Sequence, residues 1–117
     1  MSKRARVLVV DSNLHTLSKI YLSLIHKDYK VEATDDAQEI MARIERFKPA
    51  LIILNAATKN LCPNLYQEIA QKKVKVLLIK AAAALLPVET RKLEVIEMPK
   101  DIGFFDLKIR DLLNILD

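Results

Sequence analysis

Residues 50–55 read ALIILN, five apolar residues suited to a strand buried on both faces, and the run ends on Asn55. An earlier run, RVLVVDS at residues 6–12, ends in the same manner on Asp11 and Ser12. Placed side by side, two such strands gather a carboxylate, a hydroxyl and a neutral amide at one edge of a sheet. That edge is where open α/β folds carry their chemistry. A pocket of this kind is poor in charge, and its poverty is the main functional question the sequence raises.

The rest of the chain alternates strands with helices. After Val7–Val10, the polar trio Asp11, Ser12 and Asn13 offers helix N-caps, and Leu14, Leu17, Tyr21, Leu24 and Ile25 follow as an apolar stripe at helical spacing. Tyr29–Thr34 alternates in the manner of a half-exposed edge strand. Asp35 and Asp36 cap a second helix with the stripe Ala37, Ile40, Met41, Ile44 and Phe47, and Asp36 with Glu39 has the spacing of a capping box. A short helix is predicted over Leu65–Gln71, with Pro63 or Asn64 near its start, and a strand over Val74–Ile79. Pro87 interrupts Ala81–Leu93, so the fourth helix is short and begins near that proline. Val95–Met98 is the last strand, and Phe105, Ile109, Leu112 and Leu116 mark a final amphipathic helix. Five strands alternating with five helices predict a doubly wound, five-stranded parallel sheet of the flavodoxin-like, three-layer αβα class, with strand order 2-1-3-4-5. Right-handed crossovers put helices one and five on one face and two to four on the other.

Composition narrows the chemistry. The 117 residues read as a single domain, 1–117, and 51% hydrophobic content excludes a disordered chain. A single glycine argues against glycine-rich phosphate loops, and neither a Rossmann fingerprint nor a P-loop is present. Cys62 stands alone, which excludes a disulfide framework and a cysteine-cluster metal site and fits a reducing cytosol. No segment suits a signal peptide or a membrane span, so the chain reads as soluble and cytoplasmic. The net charge of +4 is spread over small basic clusters with 5% aromatic residues between them, a poor match to a nucleic-acid footprint. His15 and His26, eleven apart, read as surface histidines and Met41 as a packing residue. Neither Cys62 nor Ser12 has a recognisable base, so no nucleophilic active site is expected.

In its order of elements, its spacing and its strand-end positions, the chain resembles a response-regulator receiver domain of two-component signalling over essentially its whole length. In that family the first strand ends in a pair of acids, matched here by Asp11 and Ser12. The phosphoryl-accepting Asp of the third strand is matched by Asn55, the Thr or Ser of the fourth by Lys80, and the Lys-Pro pair of the fifth by Met98 and Pro99. The family's switch aromatic falls on Val95.

Each departure has a chemical meaning. An amide has no carboxylate oxygen to act as nucleophile. Magnesium needs hard anionic oxygens, and Asp11 alone is left to supply them. Met98 cannot donate a hydrogen bond to a phosphoryl group. Lys80 has two readings: its ammonium pairs with Asp11 in place of a metal, or it snorkels to solvent. The resemblance also implies that Met98–Pro99 adopts the cis form, and that the third and fourth helices are abbreviated or irregular.

These losses imply a degenerate receiver that cannot be phosphorylated. It works as a protein-interaction module in bacterial signalling, with no catalysis, no cofactor, no divalent metal, and a signalling protein or a second copy of the chain as partner. The stretch AAAALLP at residues 81–87 supplies a candidate interaction surface through Leu85 and Leu86, with Phe104 beyond the last strand. For each of these leucines taken singly, covering the sheet edge is the competing role. The rival function is a flavodoxin-like domain that binds a small ligand or nucleotide, against which the scarcity of glycine counts.

Overall fold

A computed structural model describes residues 5–81, 84–91, 93–97 and 108–113. The elements run β1 (Arg6–Val10), α1 (Leu14–His26), β2 (Lys30–Thr34), a 3-10 turn (Ala37–Glu39), α2 (Ile40–Phe47), β3 (Leu51–Asn55), α3 (Pro63–Ala70), β4 (Lys75–Lys80), a second 3-10 turn (Val88–Thr90) and β5 (Glu94–Glu97). Residues 108–113 are helical. All five strands pair in parallel in the order β2-β1-β3-β4-β5, as the alternation of elements predicts.

Position in the sheet explains the strand sequences. β1, β3 and β4 lie inside and carry uninterrupted buried runs, Val7–Val10, Leu51–Leu54 and Val76–Ile79. β2 and β5 form the edges and are only partly covered, which suits their alternation of charged and apolar residues. The pleat divides the core into two layers. On one face Val7, Val9, Leu51, Ile53, Leu77 and Ile79 meet Leu17, Ile20 and Leu24 of α1 and Ile109, Leu112 and Leu113 of the last helix. On the other, called the lower layer, Leu8, Val10, Ile52, Leu54, Val76 and Leu78 meet Ala37, Ile40 and Ile44, then Leu65, Tyr66 and Ile69 of α3. Each fully buried Leu, Ile or Val contributes about 1.5–3 kcal/mol, so this double layer outweighs every polar contact described below.

Two expectations are corrected. Leu14 and Ile25 are 62% and 40% exposed, and the buried stripe of α1 is Leu17, Ile20 and Leu24. The crossover from β1 rotates α1 so that this arc, and not the adjacent one, meets the sheet. The capping box at Asp36 does not form: Asp36 Oδ1 accepts from Gln38 N at 2.9 Å, but Glu39 turns its carboxylate to Arg43 Nη2 at 2.9 Å. The short helix expected from Pro87 is present as a single 3-10 turn, Val88–Thr90. Phe105, Leu116 and the Met98–Pro99 bond lie outside the described residues.

Helix ends are closed without glycine. α1 starts on Asn13, whose side chain accepts from Thr16 N at 3.1 Å. Just past its C-cap Lys27 comes Asp28 (φ 67°), and α2 is capped by Lys48 (φ 55°). These left-handed residues cost on the order of 1 kcal/mol each where glycine would cost nothing. In exchange they turn the chain sharply into β2 and, through Pro49, into β3.

Candidate functional site

The chain leaves β1 toward β2 on one side and returns past it to β3 on the other, so the ends of β1 and β3 border the crevice where strand order reverses. Asp11 and Asn55 meet there. Asp11 is only 2% exposed, and its backbone N–H still pairs with Thr34 O at 3.2 Å. Its carboxylate accepts from Asn13 N at 2.8 Å through Oδ1 and from Asn55 Nδ2 at 3.1 Å through Oδ2. Ala57 N donates to Asn55 Oδ1 at 2.8 Å, which fixes the amide so that its NH₂ end faces the carboxylate. The buried acid is thus satisfied by neutral donors.

Ser12 is placed beside this pair and faces two loops. Its hydroxyl donates to Asp35 O at 3.1 Å and accepts from Lys59 N at 2.7 Å. Lys59 lies in the loop between β3 and α3, whose first five residues, Ala56–Asn60, each make a hydrogen bond to a neighbouring segment or to Asn55. The buried Thr58 donates through its hydroxyl to Asn55 O at 2.7 Å. Lys59 O accepts from Ala37 N at 3.2 Å, and Lys59 Nζ lies 3.9 Å from Asp35 Oδ2. Asn60, in the left-handed region at φ 65°, donates from Nδ2 to Asp36 Oδ1 at 2.9 Å. That bond, helped by the Gln38 N–H and the Lys59 charge, holds the Asp36 carboxyl below its ordinary value. Sequence reasoning did not single out Thr58, Lys59 and Asn60. The signal available was a Thr-Lys-Asn turn ahead of Pro63, with an asparagine suited to positive φ.

Lys80 ends β4 opposite Glu97 of β5. Its ammonium lies 4.0 Å from Glu97 Oε2 and 3.4 Å from Ala84 O, on the β5 side of the crevice, so the paired reading with Asp11 is replaced by a neutral one in which Asn55 satisfies that acid. Val95 is partly covered against the lower core layer. Met98 and Phe104 lie outside the described residues. The two candidate leucines part company: Leu86 packs against the lower layer, whereas Leu85 is 97% exposed. Between them and the β3–α3 loop lies an apolar pocket of about 160 Å³, walled by Ala56, Leu61, Pro63 and Tyr66 on one side and Leu85 and Leu86 on the other. Burial pushes the Tyr66 hydroxyl upward in pKa. His15 and His26 both lie exposed on α1.

A divalent cation does not fit this donor set. Among the described residues Asp11 is the one carboxylate where β1 and β3 end, each of its oxygens accepts an N–H, and the Asn55 group facing it is an N–H donor that cannot ligate a cation. Among the described residues there is no group of three or more His, Cys, Asp or Glu placed to hold a metal, and no helix long and apolar enough to cross a membrane.

No family model and no curated protein matches the sequence. Solved structures do match in fold. A CheY-like response regulator receiver domain from Methanospirillum hungatei superposes with a TM-score of 0.84 at 22% identity, over 97% of this chain and 95% of that one. The signal receiver domain of an HD domain-containing protein from Pseudomonas fluorescens gives 0.83 at 21% identity, over 96% of both chains. The response regulator TrrA from Thermotoga maritima, in complex with Mg(2+)-BeF, gives 0.81 at 18% identity, over 92% of this chain and 98% of that one. The chain has the fold of response-regulator receiver domains.

Proposed function

We propose that this chain is a receiver-type signalling domain that accepts no phosphoryl group and acts through contact with another protein. One observation carries the proposal: at the end of β3, the position of the phosphoryl acceptor in the family the chain resembles, Asn55 presents an amide NH₂ to Asp11. An aspartyl phosphate forms when an anionic carboxylate oxygen attacks phosphorus. Asn55 has no such oxygen, and its one carbonyl oxygen is taken by Ala57 N–H. Asp11, the remaining carboxylate, is buried with both oxygens bonded.

The role left to such a domain is a surface with one standing conformation, and Leu85 at the rim of the apolar pocket is the most exposed large apolar side chain among the described residues. A nucleotide or flavin is a weaker fit, because small-molecule sites usually enclose about 300–1,000 Å³ and this pocket is about 160 Å³.

Incubation with a small phosphodonor and magnesium, followed by intact-mass measurement, should leave the mass unchanged. A stoichiometric phosphoryl adduct mapping to the Asn55 or Asp11 region would overturn the proposal. Thermal-shift measurements with nucleotides and flavin should show no stabilisation, and a clear rise in Tm would favour the ligand-binding rival.

A further inference from the structure

We infer that the Ser12 hydroxyl is the pin of a clasp that fixes the β3–α3 loop, so that the shape of the strand-end surface is set by the chain's own hydrogen bonds and needs no bound ion. The inference deepens the function proposed above and depends on it only for its purpose, since the bonds themselves do not refer to phosphorylation.

The clasp has three parts. Ser12 Oγ takes the Lys59 N–H at 2.7 Å and gives its own proton to Asp35 O at 3.1 Å, joining the loop after β3 to the loop after β2 through the end of β1. Lys59 O then takes the Ala37 N–H at 3.2 Å, and Asn60 Nδ2 reaches Asp36 Oδ1 at 2.9 Å, so the same two loops are stitched again on the far side of Lys59. The short parallel bridge between Asp36 and Lys59 is the backbone record of this stitching. Beneath it, the buried Thr58 returns its hydroxyl to Asn55 O at 2.7 Å.

A hydroxyl suits this post because it both donates and accepts. A carboxylate at position 12 could accept from Lys59 but would face the Asp35 carbonyl with no proton to offer. An acid there would therefore need a cation to hold the two loops together, and Ser12 does not. The loop so fixed has a second face: Ala56, Ala57, Leu61 and Pro63 wall the apolar pocket. The clasp thereby sets the position of one wall of that pocket, and opening the clasp moves it.

Amide hydrogen exchange of the whole chain, read by NMR, tests the clasp. In the wild type, the Lys59 and Ala37 amides should exchange together and more slowly than freely exposed loop amides, at rates that millimolar magnesium does not change. Ser12→Ala should accelerate both by about tenfold, the effect of one hydrogen bond on local opening, while amides in β1 and β3 keep their rates. Ser12→Thr, which keeps the hydroxyl, should restore protection. The inference is overturned if Lys59 accelerates without Ala37, if neither responds to Ser12→Ala, or if magnesium slows either in the wild type. Should Ser12→Ala fail to fold, the joint exchange of the two amides and their indifference to magnesium in the wild type still decide. A phosphoryl adduct would sink the proposed function and leave these rates untouched, whereas a freely exchanging loop would sink the clasp alone.

Discussion

Replacing Asn55 by aspartate changes one NH₂ for an oxygen, and its consequence can be worked from the geometry. In the wild type Asn55 Nδ2 donates to Asp11 Oδ2 across 3.1 Å, inside a crevice where Asp11 is 2% exposed. Asn55→Asp removes that donor and sets a second carboxylate against the first, with Ala57 N–H still fixing its outer oxygen. Two like charges about 4 Å apart at an effective dielectric of about 20 repel by about 4 kcal/mol. Side-chain rotation and proton uptake relieve part of this, so a loss of about 2–3 kcal/mol is expected near neutral pH. The introduced carboxyl holds its proton to higher pH than an ordinary aspartate, because ionising it beside Asp11 is costly. Its folded-state pKa is raised, so the penalty is absent in acid below the ordinary carboxylate range and develops as pH rises through the folded value. Urea unfolding near pH 7 and near pH 4 measures both numbers, with Asn55→Ala as the uncharged control, expected to lose about 1–2 kcal/mol at either pH. A loss under about 0.5 kcal/mol at neutral pH, or an equal loss at both pH values, would refute the reasoning. The same variant should stay free of phosphoryl adduct in the presence of a phosphodonor and magnesium, because Ser12 adds no second anionic ligand and Lys80 is engaged toward Glu97.

Three further outcomes follow from other parts of the fold. Arg43 bridges Glu32 at 2.7 Å and Glu39 at 2.9 Å, which raises its pKa, and Arg43→Met should cost about 1 kcal/mol in urea denaturation at low salt and less at high salt, since both glutamates are well exposed. Asp36 should titrate by carboxyl NMR below its ordinary 3.8, and Asn60→Ala should move it upward; the stability it contributes is present above 3.8 and lost as pH falls through the lower folded value. Leu85→Asp should leave urea stability within about 0.5 kcal/mol of wild type, whereas Leu86→Asp, which drives a charge against the lower core layer, should cost about 1–3 kcal/mol.

The sheet was legible in the sequence because burial on both faces leaves a strong trace. Val7–Val10, Leu51–Leu54 and Val76–Ile79 are apolar without interruption, and no surface element needs that pattern. The edge strands were legible for the opposite reason, since only one side of each needs covering. The face of α1 was not. Leu14, Tyr21 and Ile25 form an apolar arc next to Leu17, Ile20 and Leu24, and a helical period fits either. Which arc meets the sheet is decided by the crossover geometry, a long-range property that no local window contains. The short helix after Pro87 was legible for a local reason: the proline starts it, and few residues remain before β5 to lengthen it.

The site was legible in its inventory and illegible in its wiring, and hydrogen-bond chemistry explains the division. Asp11 and Asn55 could be placed together on paper because strand ends converge, but the hydrogen bond that joins them is legible only in the structure. Lys80 was harder, because an ammonium near a lone acid suggests an ion pair by charge alone. An amide and an ammonium compete for the same carboxylate, and Asn55, in register beside β1, reaches it without spanning the sheet, while Lys80 leaves toward β5. Ser12 could not be wired at all from sequence, since both its partners are backbone groups, Asp35 O and Lys59 N–H, on loops that carry no periodic pattern. Two facing carboxylates offer only acceptors and need a donor or a cation between them, whereas hydroxyls and amides can satisfy one another. Exchanging acids for Ser and Asn at such an edge therefore does more than remove charge. It lets the crevice close on itself, as Asn55 does on Asp11 and Ser12 does on the two loops beside it.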